Sequence, residues 1–133
     1  MSGLDFEISQ RPDFAIVTVR LEQGETVYSE PAAMASMTPS LKMKAGLKGG
    51  WKKALGRMFA GESLIVNTFT AEQEPGEVLF APGIPGDMLH YALDNNSIYL
   101  QRGAFLAHSA GVDLSAKWQG AKEIGRASCR ERV

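Results

Sequence analysis

The 133-residue chain has one cysteine, two histidines and no excess charge of either sign. A lone thiol rules out a disulfide framework within the chain and a zinc site built on several cysteines. Two histidines, with neither HxH nor HExxH spacing, are too few for a cupin-like metal centre. Such a centre wants two or three imidazoles and a carboxylate converging on one cavity. The formal net charge of −1 gives no general pull towards nucleic acid or an anionic membrane. No apolar run approaches the roughly 18 residues of a membrane-spanning helix. The opening residues, MSGLDFEISQRPDF, carry acids and no apolar core, unlike a secretory leader. A cytoplasmic location is the default expectation.

What is present is an ordinary globular balance, 44% hydrophobic and 22% charged residues, enough for one domain with a core. Alternation dominates. Phe6, Ile8 and Gln10 alternate with Glu7 and Ser9, a half-buried strand pattern. Residues 15–21, AIVTVRL, are rich in β-branched side chains and read as a central strand. Glu22, Gln23, Gly24 and Glu25 read as a hairpin-like turn. Further strands are expected at 27–28, 33–37, 41–45, 64–69, 77–80, 88–93, 98–101, 104–108 and 112–116. Residues 81–87, APGIPGD, hold two Pro/Gly breaks and predict a rigid loop outside any ladder. Asn95 and Asn96 suit a hairpin turn, because asparagine tolerates positive φ. Short strands at turn spacings of 8–12 residues indicate an all-β fold, a β-sandwich or barrel-like arrangement.

Two stretches break this pattern. Trp51, Leu55, Met58 and Phe59 fall at i, i+4, i+7 and i+8, one apolar stripe, and predict a short helix near residues 50–60. Lys48, Lys52, Lys53 and Arg57 lie off the stripe, ready for an anion or a membrane surface. Residues 123–133, EIGRASCRERV, contain three arginines and the cysteine, without a hydrophobic period. They match what a common sequencing adapter encodes when read as coding DNA, and are expected to be a non-native tail. Without them the net charge is −2, three arginines and two glutamates having gone.

No constellation specifies a reaction. His90 beside Asp87 is the one hint of a metal site, and no metal or other cofactor is expected. Ser109 follows His108, but sequence neighbours do not make a nucleophile and its base. Gly61, Glu62 and Ser63 lack the spacing of a nucleophile elbow. The glycines and lysines of residues 46–53 lack the P-loop pattern.

Four segments occur in order: MASM at 34–37, a GG…LGRMFAGESLIVNTFTA run ending at Ala71, GEVLFAPGIPGD at 76–87, and QRGAFLA at 101–107. Together they resemble the altered-inheritance-of-mitochondria protein 24 family, which has bacterial members, over roughly residues 30–115. The resemblance implies an all-β fold related to the trp RNA-binding attenuation protein, with two similar halves assembling into rings. It carries no catalytic residue. It also implies that residues 1–122 are the N-terminal part of a two-half protein, the first half plus the start of the second.

These observations lead to a non-enzymatic oligomeric scaffold or assembly protein, a ring-forming homo-oligomer in contact through Trp51, Leu55, Met58 and Phe59. A second reading is a peripheral membrane-binding module, at the inner face of the membrane, using the basic side chains of the helix. A third is a small-molecule or metal-binding β-barrel using His90 and Asp87. The partner is a protein or a membrane surface; no nucleic acid is expected, since a broad basic stripe is missing. Resequencing the source gene with reads spanning the locus is expected to show the frame continuing past codon 122 into further short strands. A native stop after EIGRASCRERV would make the tail genuine.

Overall fold

The computed structural model describes residues 3–47, 65–101, 103–119 and 122–129. Among them are eleven strands and no helix. In chain order these are β1 (Asp5–Ser9), β2 (Ile16–Leu21), β3 (Thr26–Ser29), β4 (Met34–Met37), β5 (Lys42–Leu47) and β6 (Ile65–Thr70). They continue with β7 (Gly76–Phe80), β8 (Ser97–Gln101), β9 (Ala107–Ser109), β10 (Val112–Gln119) and β11 (Lys122–Cys129). The strands form three antiparallel sheets, ordered β1-β2-β7-β4, β5-β6-β3-β9 and β10-β11-β8.

Alternation decides which face is buried. On β2, Val17, Val19 and Leu21 are buried while Arg20 faces water. Val78 and Phe80 do the same on the neighbouring β7. Val27 on β3 and Phe69 on β6 pair directly in the second sheet and join the same core. The first two sheets therefore pack face to face, and Phe69 meets Phe80 edge-on with centroids 5.3 Å apart. The other face of the second sheet presents Tyr28 and Val66, covered by Ile98, Phe105, Val112 and Leu114.

A bulge in β4 follows from its sequence. Met34 and Met37 are three residues apart, so a regular strand would send them to opposite faces. The register shifts between Met34 and Ser36, and both methionines pack on the core.

The turn at 22–25 is not a hairpin. Glu25 N–H donates to the Glu22 carbonyl at 3.0 Å, Gly24 takes φ 89°, and its N–H donates to the Ala71 carbonyl at 2.7 Å. That turn carries the chain from the first sheet to the second, so β2 and β3 never pair. The strand expected at 88–93 is irregular, its backbone pairing with no described strand, although His90 lies against Phe6 of β1. Asn95 does adopt positive φ, 53°, leading into β8. β11 forms where no hydrophobic period announces a strand, paired with β10 and β8 through its backbone.

All-β architecture fits the expectation; barrel-like closure does not. Among the described residues each sheet is open, with β1 and β4 at the edges of the first and β5 and β9 at the edges of the second. β1 carries Asp5 and Glu7 around Arg20, at 3.8 and 3.5 Å, and β9 has three residues. Charge and shortness are both standard ways of ending a sheet. The expected helix near residues 50–60 lies outside the described residues, and no helix occurs within them.

Gly76 opens β7 where two side chains press on it. A Cβ there would fall within 3.0 Å of Leu41 and Thr38. Leu41 is buried, and Thr38 Oγ1 accepts the Glu77 N–H at 3.0 Å, so neither yields easily. Gly76→Ala is expected to destabilise the fold by about 1–3 kcal/mol, the usual effect of overpacking, read as a lower urea midpoint.

Candidate interaction surface

The register Val17↔Phe80 sets the start of β2 beside the end of β7. The segments flanking them, 10–16 and 81–90, therefore leave the core side by side. Three sets of contacts tie them. Phe14 N–H donates to the Gln10 carbonyl at 3.1 Å, closing a turn in which Gln10 takes φ 59°. Ala15 N–H donates to the Gly86 carbonyl at 3.0 Å, and Phe14 bridges Gly86. Finally, the Arg11 guanidinium grips Asp87 with both arms, Nε to Oδ1 at 2.8 Å and Nη2 to Oδ2 at 3.1 Å. At its base, Ala81 N–H donates to the Ala33 carbonyl at 2.9 Å, and Ala15 is buried.

The ion pair is local electrostatics in an exposed setting. Hydrogen bonding from Arg11, then from the Met88 N–H, holds the Asp87 carboxyl below its ordinary value of 3.8. Asp87 in turn raises the Arg11 guanidinium. Fork geometry gives the pair direction as well as attraction.

What the stapled loops display is apolar. Phe14 is 68% exposed, Ile84 79% and Leu89 86%. Between the loops lies a shallow cleft of about 240 Å³, lined chiefly by Phe14, Ile16, Ala81, Pro82, Ile84 and Pro85. Single exposed apolar residues are commonplace. Phe14 and Ile84 line one cleft on mutually braced loops and so form a patch, and such patches mark interaction sites. Sequence reading marked 81–87 as rigid but singled out neither Phe14 nor Ile84. The available signal was isoleucine between two Pro/Gly breaks, an apolar side chain where no ladder can bury it.

The other polar clusters serve the fold. Arg20 on the outer face of the first sheet also reaches Glu77 at 3.5 Å. His108 is buried, stacked on Tyr28 with centroids 4.9 Å apart, and its Nδ1 lies 2.6 Å from the Ser109 carbonyl. Since a carbonyl only accepts, Nδ1 carries the proton. Glu30 is half-buried, and burial raises its carboxyl.

Asp87 and His90 do not come together as metal ligands. Asp87 is held by Arg11, while the His90 ring lies 4.7 Å from Phe6, and burial lowers its pKa. Among the described residues no three His, Cys, Asp or Glu could share a metal ion. With no closed sheet either, the metal or small-molecule barrel is withdrawn. Trp51, Leu55, Met58, Phe59, Lys48, Lys52, Lys53 and Arg57 all lie outside the described residues. The membrane-binding module and the inner-face location rested on a helix there. Among the described residues there is none, and no helix is long and apolar enough to cross a membrane. The scaffold assembled through that helix is withdrawn for the same reason.

A family model described as mitochondrial biogenesis AIM24 matches residues 6–130. The chain belongs to this family. M6_Spy0233, an uncharacterized protein of Streptococcus pyogenes serotype M6, is 31% identical over 130 residues, 92% of this chain and 50% of that relative. The X-ray crystal structure of SPYM3_0169 from Streptococcus pyogenes matches with a TM-score of 0.79 at 26% identity. That match covers 95% of this chain and 61% of the other. The chain thus spans about half the length of the curated relative it matches. Solved and curated relatives are both bacterial, and neither name states a ligand or a reaction.

Asp87→Asn keeps the side chain's shape but removes the charge and one of the two acceptors of the fork. Amide exchange at Phe14 and Ala15 is expected to quicken, with core amides such as Val19 unchanged. The same loosening in the parent protein has a pH sign. A carboxyl with a lowered folded pKa contributes fully above its unfolded value of 3.8, and the contribution is lost as pH falls through the lower folded value. Exchange rates at Phe14, corrected for intrinsic pH dependence, check both effects.

Proposed function

We propose that this AIM24-family chain is a non-catalytic protein-binding module whose working surface is the stapled loop pair around Phe14, Ile84 and Leu89. The observation that carries the reading is mechanical. A hydrogen-bonded turn, a backbone bridge and a two-armed ion pair brace the segments that hold Phe14 and Ile84 in water, with exposed Leu89 two residues beyond the ion pair. Rigid apolar groups bind with little loss of conformational freedom, which favours a partner over free solution. The loops offer a poor template for strand addition, because Pro82 and Pro85 lack donors there. Recognition therefore rests on side chains.

Two parts of the sequence reading stay with this proposal. Residues 123–133 as a foreign tail rest on their amino acids alone; the family match to residue 130 and the pairing of β11 weigh on the other side. For residues 1–122 as part of a two-half protein, the support is one curated relative of about twice the length. Activities or partners of those longer proteins are not needed for the binding reading.

A photo-crosslinking amino acid placed at Ile84 in producing cells is expected to give discrete covalent protein adducts. The same group at Thr18, on the outer face of the first sheet, should give none. Absence of adducts at both positions would overturn the proposal.

A further inference from the structure

We propose that Met88 is an oxidation-sensitive catch for the loop that displays Ile84, so that a peroxide regulates the binding surface. The inference rests on the binding reading above for what is regulated, whereas the catch itself is argued from packing.

Beyond β7 the chain runs as a strap across the end of the first sheet. Along it the Gly86 carbonyl accepts from Ala15 just before β2, Asp87 is gripped by Arg11, and the His90 ring lies 4.7 Å from Phe6 on β1. These contacts lie largely in water. The side chains of Arg11 and Asp87 are 43% and 41% exposed, a setting in which ion pairs hold weakly. His90 is exposed as well. Met88 differs. It is half-buried, and among residues 81–91 it is the one hydrophobic side chain packed on the first core. Its N–H also donates to Asp87 Oδ1 at 2.8 Å, so a shift of Met88 disturbs the fork directly.

A half-buried thioether is within reach of hydrogen peroxide. The sulfur attacks one peroxide oxygen, and the S–O bond forms as the O–O bond breaks. The hydroxide released takes the proton from the new S–OH and leaves as water. Sulfur is oxidised by two electrons and the peroxide is reduced by two. The product, methionine sulfoxide, is polar and gains little from burial. The strap then lifts and carries Ile84 away from Phe14.

The other described methionines lack this combination. Met34 and Met37 pack on the core, but their backbone is tied to β7. Met43, 43% exposed, lies in β5 against β6. Of the four, Met88 alone joins core packing to a segment outside any ladder.

Hydrogen exchange at the Ala15 amide reads the catch, because that N–H is bonded to Gly86. Once hydrogen peroxide has converted Met88, as peptide masses would show, Ala15 exchange is expected to quicken about tenfold, the ratio implied by losing roughly half of a buried methionine's transfer free energy. Val19 should stay unchanged. Met88→Leu, apolar and without sulfur, should keep the slow rate and abolish the response to peroxide. Met88→Gln should quicken Ala15 without peroxide, and methionine sulfoxide reductase should reverse the effect in the oxidised parent. Sulfoxide at Met88 with unchanged Ala15 exchange would overturn the inference. So would a response that survives Met88→Leu, a Met88 that stays reduced after Met43 is fully converted, or equal quickening at Val19. The crosslinker at Ile84 separates the two readings. Adducts lost on oxidation of the parent and kept in Met88→Leu support the regulation, and adducts indifferent to the sulfoxide defeat it. No adducts in the untreated protein would sink the binding reading and leave the catch to stand or fall on the exchange result.

Discussion

Phe69 and Phe80 meet edge to face at the centre of the two four-stranded sheets, both fully buried. Each ring comes from an inner strand of its own sheet, so the pair is where the layers lock in register. Val17, Val19 and Leu21 on one side, and Val27 on the other, fill the space around them. Aromatic pairs in this geometry contribute about 0.5–1.5 kcal/mol beyond the area they bury. Much else in the molecule is arranged to suit this contact. The β4 bulge turns two methionines towards it, and Gly76 lets Leu41 close over its margin.

The loop pair depends on the same core at one remove. Phe80 ends β7 and Val17 lies opposite it on β2, so the loops diverge from a point the aromatic pair has already fixed. Beyond that point direction comes from the polar contacts and from Met88, which packs back on the core. Ala15 marks the boundary: it is buried, whereas the adjacent Phe14 stands in water. An apolar patch held this way differs from a frayed loop that happens to contain phenylalanine. Its shape is set before any partner arrives.

The strands were largely legible because burial on one face imposes a period of two, and residues 15–21 and 77–80 show it cleanly. Where alternation misled, the missing information was the neighbour. Residues 88–93 are a mostly apolar run between two turns, yet a strand needs a partner, and sequence does not say which partner is at hand. The converse holds for β11, whose ladder is made by backbone groups that every residue type supplies. The turn at 22–25 shows the same limit, for Gly24 announces a reversal but not which sheet receives the chain. The site was less legible still. Arg11 and Asp87 are 76 residues apart, and nothing local to either predicts their meeting. Sequence reading placed its binding residues on the amphipathic stripe at 51–59, where periodicity speaks loudest. Exposure of Phe14 and Ile84 is a property of tertiary structure and has no period.

The strand order has a consequence for the order of synthesis. β2 finds its inner partner only at β7, and β3 acquires its second neighbour only at β9. A growing chain therefore cannot complete the first sheet until Phe80 has left the ribosome, nor the second until Ser109 has followed. At about 5–20 residues per second, the open edges of β2 and β3 wait several seconds for their partners. For that interval the nascent chain is a holder of half-paired strands, and the charges on β1 and β5 are its defence against neighbouring ribosomes' products.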